Sequence, residues 1–362
     1  MNAAVPREPG FAPAVRSEPL SVEFPTMSPG NTTMAEPRPA DGPRGGVDLG
    51  GTKIQTVVVD RDHLVLGEAR SPTPTSGGPD DVAAAIVATM REAVAAAGLK
   101  CSDLAHVGVG SPGAIDARAG TVASASNLPG WADATYALGP MLAQELGTPV
   151  ALGNDVQVAT DAETQLGAGR DYASALGVFW GTGVGGGIVL AGEAWLGRGA
   201  AGEIGHVCIQ MDHGLRCPCG RHGCVEAYAG RSAMEGRARA LHAKGAETDL
   251  FKIARKRGRE RLTSGIWSAA LERKDPLARK LIKEAVQALG AGVASVVNVL
   301  DVEVVILGGG LGIRLGKPYA EKLAEAMSPH LFNDDRPPPV LVAALGDLGG
   351  AIGASLLVPD AA

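Results

Sequence analysis

The stretch His206-Val-Cys208-Ile-Gln-Met-Asp-His213-Gly-Leu-Arg-Cys217-Pro-Cys219-Gly-Arg-His222-Gly-Cys224 is followed at once by Val225 and Glu226. Three thiols in a C-x-C-x4-C array beside a histidine supply four soft or borderline donors, the set of a closed tetrahedral zinc site. C-x-C with a third cysteine so near is rarely a chance grouping of buried thiols. By spacing alone, His206, His213 and His222 are all candidates for the fourth donor, with Cys208 a weaker one. Ala201-Gly-Glu203-Ile-Gly205 precedes the loop, so one carboxylate stands before it and Glu226 stands after it. A metal-folded loop flanked by two acids is a way to build a rigid polar pocket.

Outward from that loop the chain alternates strands and helices. Val47–Asp48 and Lys53–Asp60 read as strands joined by the turn Leu49-Gly-Gly51-Thr52. Residues 80–98 read as an alanine-rich helix, and residues 105–110 as a strand running into Ser111-Pro-Gly113. A strand at 149–152 ends in Asn154-Asp155, and a helix follows to about Leu166. Strands flank Gly181-Thr182-Gly183-Val-Gly-Gly-Gly187, and the chain is mostly helical after the cysteine loop. Asp275-Pro276 opens the clearest of those helices, with proline suited to the first turn. Val302–Leu307 reads as a buried strand ending in Gly308-Gly309-Gly310, before a last strand near 339–344 and a helix from about 348. The pattern implies an α/β fold with helices on both faces of its sheets.

Two of the glycine turns echo each other. Asp48-Leu-Gly-Gly-Thr52 and Gly181-Thr-Gly183 each join two strands, carry a threonine and, one per domain, can face each other across a cleft. Such turns expose backbone N–H groups to phosphate oxygens. Asp48 beside the first is placed to hold magnesium through water. The turn at Gly308–Gly310 lacks the dinucleotide spacing G-x-G-x-x-G, and none of the turns matches the Walker pattern. Lys53 follows the first turn, but strand alternation directs it away, so it is not counted as a phosphate contact. Asp155 lies where a strand passes into a helix, a place for a helix cap and also for a group that takes the proton of an attacking hydroxyl.

Composition is consistent with this. The 362 residues, with 51 glycines and only 4% aromatics, suit two α/β domains with many tight turns. A net charge of −6 argues against nucleic acid as a partner, and the basic run between Lys252 and Arg261 reads as a solvated helix face. Five cysteines, three of them clustered, fit a reducing compartment, with Cys101 and Cys208 as small buried hydrophobes. No run of about 18 apolar residues and no signal-peptide layout occurs, which points to the cytoplasm and to no membrane partner. Residues 1–44 hold nine of the 24 prolines and read as a disordered leader, with Met27 or Met34 as alternative starts.

Gly46-Val-Asp-Leu-Gly-Gly-Thr-Lys-Ile54, Gly110-Ser-Pro-Gly113, Asn127-Leu-Pro-Gly-Trp131, Gly153-Asn-Asp155, Gly181-Thr-Gly-Val-Gly-Gly-Gly187, Ala201-Gly-Glu-Ile-Gly-His206 and the box Cys217 to Glu226 occur in that order. Together they resemble the ROK family of sugar kinases and sugar-responsive repressors, and among these its bacterial glucokinases, over residues 45–357. The resemblance implies a ribonuclease H-like, actin-type ATPase fold of two domains with a cleft and a zinc-bound loop at 206–224. The expected domains are 45–160, completed by 340–362, and 161–339. It implies Asp155 as the catalytic base, and Asn127, Asn154, Asp155, Glu203, His206 and Glu226 as hydrogen-bonding partners of the sugar. Asp48, Gly51, Thr52, Thr182 and Gly183 would surround the ATP phosphates and magnesium, with Gly309 and Gly310 near the adenosine. His206, Cys217, Cys219 and Cys224 would hold a structural zinc ion, with no position open for water.

The expected activity is ATP-dependent phosphorylation of a hexose, glucose at its 6-hydroxyl first, in a homodimer or homotetramer. Fructose, mannose, allose or an N-acetylhexosamine are alternative acceptors. Polyphosphate is a less favoured donor, because relatives that use it commonly lack the cysteine box. A sugar-responsive repressor is the alternative of another class, disfavoured because no pair of amphipathic helices precedes Gly45.

Overall fold

The computed structural model describes residues 42–125, 128–131 and 135–359. The leader up to residue 41 lies outside the described residues, and the first strand begins at Arg44, one residue before the expected start of order.

In chain order β1 (Arg44–Leu49), β2 (Lys53–Val59), β3 (Val65–Pro72), α1 (Pro79–Ala96), β4 (Val107–Ser111), a small sheet of β5 (Ala114–Asp116), β6 (Thr121–Ala123) and β7 (Thr135–Tyr136), α2 (Leu138–Leu146) and β8 (Val150–Asn154) make the first part. Next come α3 (Asp155–Gln165), β9 (Ala175–Trp180), β10 (Val184–Leu190) and β11 (Glu193–Ala194). The helices α4 (Val225–Ala229), α5 (Arg231–Ala243), α6 (Leu250–Lys256), α7 (Ser264–Glu272) and α8 (Pro276–Leu300) follow the cysteine loop. Then come β12 (Val304–Gly308), α9 (Gly309–Leu315), α10 (Lys317–Met327), β13 (Val340–Val342) and α11 (Gly349–Ala354).

The two large sheets repeat one topology. The first runs β3-β2-β1-β4-β8 and the second β11-β10-β9-β12-β13. In each, an antiparallel hairpin forms one side while the strand that opens it pairs in parallel with the next strand across. The two glycine turns noted in the sequence are the tips of these hairpins, β1–β2 and β9–β10, so they occupy equivalent places.

Local sequence explains the helices that flank the sheets. In α1, Val82, Ile86, Met90 and Ala93 form a buried stripe at helical spacing. Asp81 closes its start by accepting from the Gly78 N–H at 2.8 Å. In α8, Asp275 caps the first turn by accepting from Ala278 N–H at 2.7 Å, ahead of Pro276. One core gathers Ile54, Ile86, Met90, Val109, Trp131 and Leu142, and a larger one Val178, Trp180, Trp267, Leu281, Val305 and Met327.

After the second sheet the chain returns to the first. β13 pairs in parallel with β12, whereas α11 packs on β1, β2 and β4, so the crossing falls after Val342 rather than at residue 340. Glu163 of α3 holds that crossing by accepting from the N–H groups of Ala344 and Leu345 at 2.9 and 2.8 Å. The close seating of α11 needs Gly108, where an added Cβ would lie 1.7 Å from the Ala354 carbonyl oxygen. Among the described residues no helix is long and apolar enough to cross a membrane.

Candidate active site

Both hairpin tips open onto one cavity of about 630 Å³. Asp48, Gly51 and Thr52 line it from the first turn, Thr182 and Gly183 from the second, and Gly309 and Gly310 from the start of α9. Each tip is closed by one backbone hydrogen bond. Gly50 N–H closes the first on the Lys53 carbonyl at 2.9 Å, and Gly181 N–H closes the second on the Gly183 carbonyl at 3.0 Å. The N–H groups of Gly51, Thr52, Thr182 and Gly183 have no acceptor among the described residues, so both turns present free donors suited to an anion.

Asn154 and Asp155 reach the same cavity from the junction of β8 and α3. The cap of α3 is Asn154, whose Oδ1 accepts from Val156 and Gln157 N–H at 3.1 and 3.2 Å. Asp155 is therefore the first helical residue, and its own Oδ1 accepts from Val156 N–H at 3.0 Å. Burial raises the Asp155 carboxyl to about 6, and the charges of Asp48 and Glu203 add to the shift against the backbone N–H groups. A carboxylate that loses its proton near 6 is ionised at neutral pH yet still basic enough to accept one. Asp48 is likewise raised by burial, with the ammonium of Lys53 opposing the shift.

The cysteine loop lies next to the cavity. His206, Cys217, Cys219 and Cys224 bring one donor atom each within 4.8 Å of one another, while His213 and His222 stay outside the group. Nδ1 of His206 is 3.7 Å from Cys217 Sγ, and its Nε2 is 3.9 Å from Glu203 Oε2. One ring nitrogen thus faces the thiols and the other faces an acid at the cavity, the arrangement by which an outer partner orients a metal-bound imidazole. All five cysteines are free thiols, so nothing in their bonding prevents this donor set from closing on zinc. Glu203 and Glu226 line the cavity, but His206 does not and meets it through Glu203. Glu226, on α4, accepts from Val184 N–H at 2.8 Å.

Of the sugar-site candidates, Asn127 lies outside the described residues. Three further residues emerge from the structure. Lys53 lines the cavity, against the expectation from alternation, because β2 is covered by α1 on one face and α11 on the other and only its first residue opens outward. Asp347 enters from the short turn before α11 and shares the cavity with Asp48 only through the crossing of the chain. Arg231 Nη2 donates to Thr182 Oγ1 at 2.7 Å, and the N–H groups of Arg231 and Ser232 hold the Gly181 and Thr182 carbonyls at 3.1 and 3.0 Å. Arg231 opens α5, and nothing in its sequence neighbourhood indicates Thr182 as its target.

Cys208 is exposed rather than buried. The basic run is tied into its own surroundings, with Lys252 on Asp249 at 3.4 Å and Arg261 on Glu235 at 3.1 Å.

Comparison with known proteins gives a consistent result. The model of the ROK family matches residues 44–361. The N-acetylgalactosamine kinase AgaK of Shewanella sp. (strain ANA-3) is 33% identical over 320 residues, 86% of this chain and 95% of that protein. A glucokinase of Thermotoga maritima is 31% identical over 319 residues, 87% of this chain and 96% of its own. The crystal structure of a ROK family glucokinase from Streptomyces griseus in complex with glucose and AMPPNP superposes with a TM-score of 0.74 at 30% identity, covering 87% of this chain and 98% of that one. With its paired sheets and shared cavity, this chain belongs to the ROK family and has the actin-like α/β fold of its sugar kinases.

Proposed function

We propose that this ROK sugar kinase transfers the γ-phosphoryl group of ATP to a hexose hydroxyl, with the 6-hydroxyl of glucose as the first acceptor to test. The observation that carries the reading is Asp155, a carboxyl raised to about 6 in a cavity walled by two turns of free N–H donors. Asp155 accepts the proton of the sugar hydroxyl as its oxygen attacks phosphorus. Asn154, Glu203 and Glu226 hold the other hydroxyls, with His206 behind Glu203 and Asn127 as a further partner. The turns at Gly51–Thr52 and Thr182–Gly183 hold the phosphates, and Gly309–Gly310 lie beside the adenosine. Magnesium bound with the nucleotide would neutralise charge on the β and γ oxygens, with Asp48 meeting its water shell. Zinc on His206, Cys217, Cys219 and Cys224 would fix the shape of the loop. We take the two sheets as two domains, 45–160 with α11 and 161–342, that close over the substrates and exclude water.

An N-acetylhexosamine is the second acceptor to test. A second cavity of about 510 Å³ adjoins the first and shares Gly113, Asn154, Ala201 and Glu203 with it, and its walls include Ala114, Ile115 and Leu196. That apolar lining suits a substituent on the sugar ring, and the name of the Shewanella relative is in keeping with it. We further propose a cytoplasmic homodimer or homotetramer. The test is ADP release from Mg-ATP with a panel of hexoses and N-acetylhexosamines, with Asp155→Asn beside the wild type. Turnover that collapses in the variant supports the reading. Sugar bound without turnover supports a sugar sensor instead.

A further inference from the structure

Cys208 is outside the four-donor group, yet it is paired with one member of it. Cys208 and Cys224 face each other across an isolated antiparallel bridge. Ile209 N–H bonds to the Gly223 carbonyl at 2.8 Å and Val225 N–H to the Val207 carbonyl at 3.0 Å. Those bonds flank the pair, so it is of the non-hydrogen-bonded kind, in which side chains share a face and Cα atoms approach to about 4.5 Å. That spacing falls within the range of about 4.4–6.8 Å that a disulfide spans. Cys208 is exposed, whereas Cys224 is buried against Cys219, Sγ to Sγ 3.8 Å. Gly223 leaves the space beside Cys208 open, since an added Cβ there would come 3.3 Å from the Cys208 Sγ.

We propose that Cys208 is an oxidation site that takes peroxide-class oxidants and passes the oxidation to Cys224, withdrawing one of the proposed zinc ligands. The Cys208 sulfur attacks a peroxide oxygen, an S–O bond forms, the O–O bond breaks, and the departing hydroxide leaves as water with the thiol proton. The Cys224 sulfur then attacks the Cys208 sulfenic acid, an S–S bond replaces S–O, and the departing hydroxide leaves as a second water with a proton from the Cys224 thiol or from solvent. Two thiols lose two electrons to one hydrogen peroxide. A disulfide sulfur is no longer a thiolate donor, so the tetrahedral set falls to three. Cys224 also stands immediately before α4, whose Glu226 is bonded to the Val184 N–H, so a shift of Cys224 reaches the cavity.

The metal half of this inference rests on the zinc reading above, and the test separates the two. Zinc per chain is measured first in the purified protein. Hydrogen peroxide is then titrated with a chromophoric zinc chelator present, for the wild type and Cys208→Ser, and non-reduced peptides are mapped by mass. The expected result is a Cys208–Cys224 cross-link reversed by dithiothreitol, with zinc release at a roughly tenfold lower peroxide dose in the wild type than in Cys208→Ser. Equal release from both proteins, or cross-links confined to Cys217, Cys219 and Cys224, overturns the proposal. Protein purified without zinc removes the metal reading alone, and the peptide map still decides the pair.

Discussion

Oε2 of Glu226 accepts from the backbone N–H of Val184 at 2.8 Å, fastening the acid that follows the cysteine loop to the glycine turn of the cavity. Gly183 makes this contact possible, because a Cβ at that position would lie 2.3 Å from the same Oε2. The turn that presents free N–H groups and the loop that carries four metal donors are therefore one mechanical unit.

Gly183→Ala should push Glu226 off Val184 and misplace the turn. We expect kcat/KM to fall on the order of 100-fold. Glu226→Gln keeps an oxygen acceptor for Val184 and should cost less than Glu226→Ala. Steady-state kinetics with ATP and hexose varied separately will show whether both substrates are affected.

Asp155 acts only when ionised, so kcat/KM should rise with pH through about 6, and Asp155→Asn should lower kcat by roughly 10²–10⁴-fold. For stability the sign is opposite. The folded pKa is raised above the ordinary 3.8, so this group favours the fold below about pH 4 and that contribution is lost as pH rises through about 6. Asp155→Asn should therefore melt higher than wild type at pH 7, on the order of 2–4 °C, and the gap should close toward pH 4. A variant that melts lower at pH 7 would contradict the buried-charge argument.

Chelation, or Cys217→Ser, should release the loop that orients His206 and Glu203. The hexose KM should rise by roughly 10–100-fold. Because Glu226 ties the loop to Val184, the ATP KM should rise as well, though by less. Unchanged hexose affinity in a zinc-free protein would show that the metal does not shape the site.

Glu163 accepts from Ala168 N–H at 2.9 Å as well as from Ala344 and Leu345. Glu163→Ala leaves these partly buried donors without their acceptor and should cost roughly 2–4 kcal/mol in urea unfolding. The return of the chain to the first sheet should become more open to hydrogen exchange in the same variant.

Much of this was legible in the primary structure. Strand and helix order followed from short apolar runs broken by glycine, and β1–β2 and β9–β10 lie on either side of the turns that Gly50–Gly51 and Gly181–Gly183 announced. Asp275 and Pro276 marked α8 by cap chemistry alone. Lys53 departs from strand alternation because alternation assumes one wet face, and β2 has none. The histidine among the metal donors stayed open between His206, His213 and His222 when judged by spacing, since all three lie within reach along the chain. The Cys208–Cys224 pair was hidden because sixteen positions separate its members and only the backbone bridge aligns them.

The sequence by itself determined the local elements, the turn chemistry and the supply of donors, because each depends on residues a few positions apart. Only the tertiary structure decided which donors converge. Asp155 owes its pKa near 6 to burial, and next to Asp48, which arrives from another strand. Glu226 meets Val184 across 42 positions, and Glu163 meets Leu345 across 182. Desolvation and Coulomb interaction depend on distance through space, and that distance is set by packing the two sheets rather than by spacing along the chain.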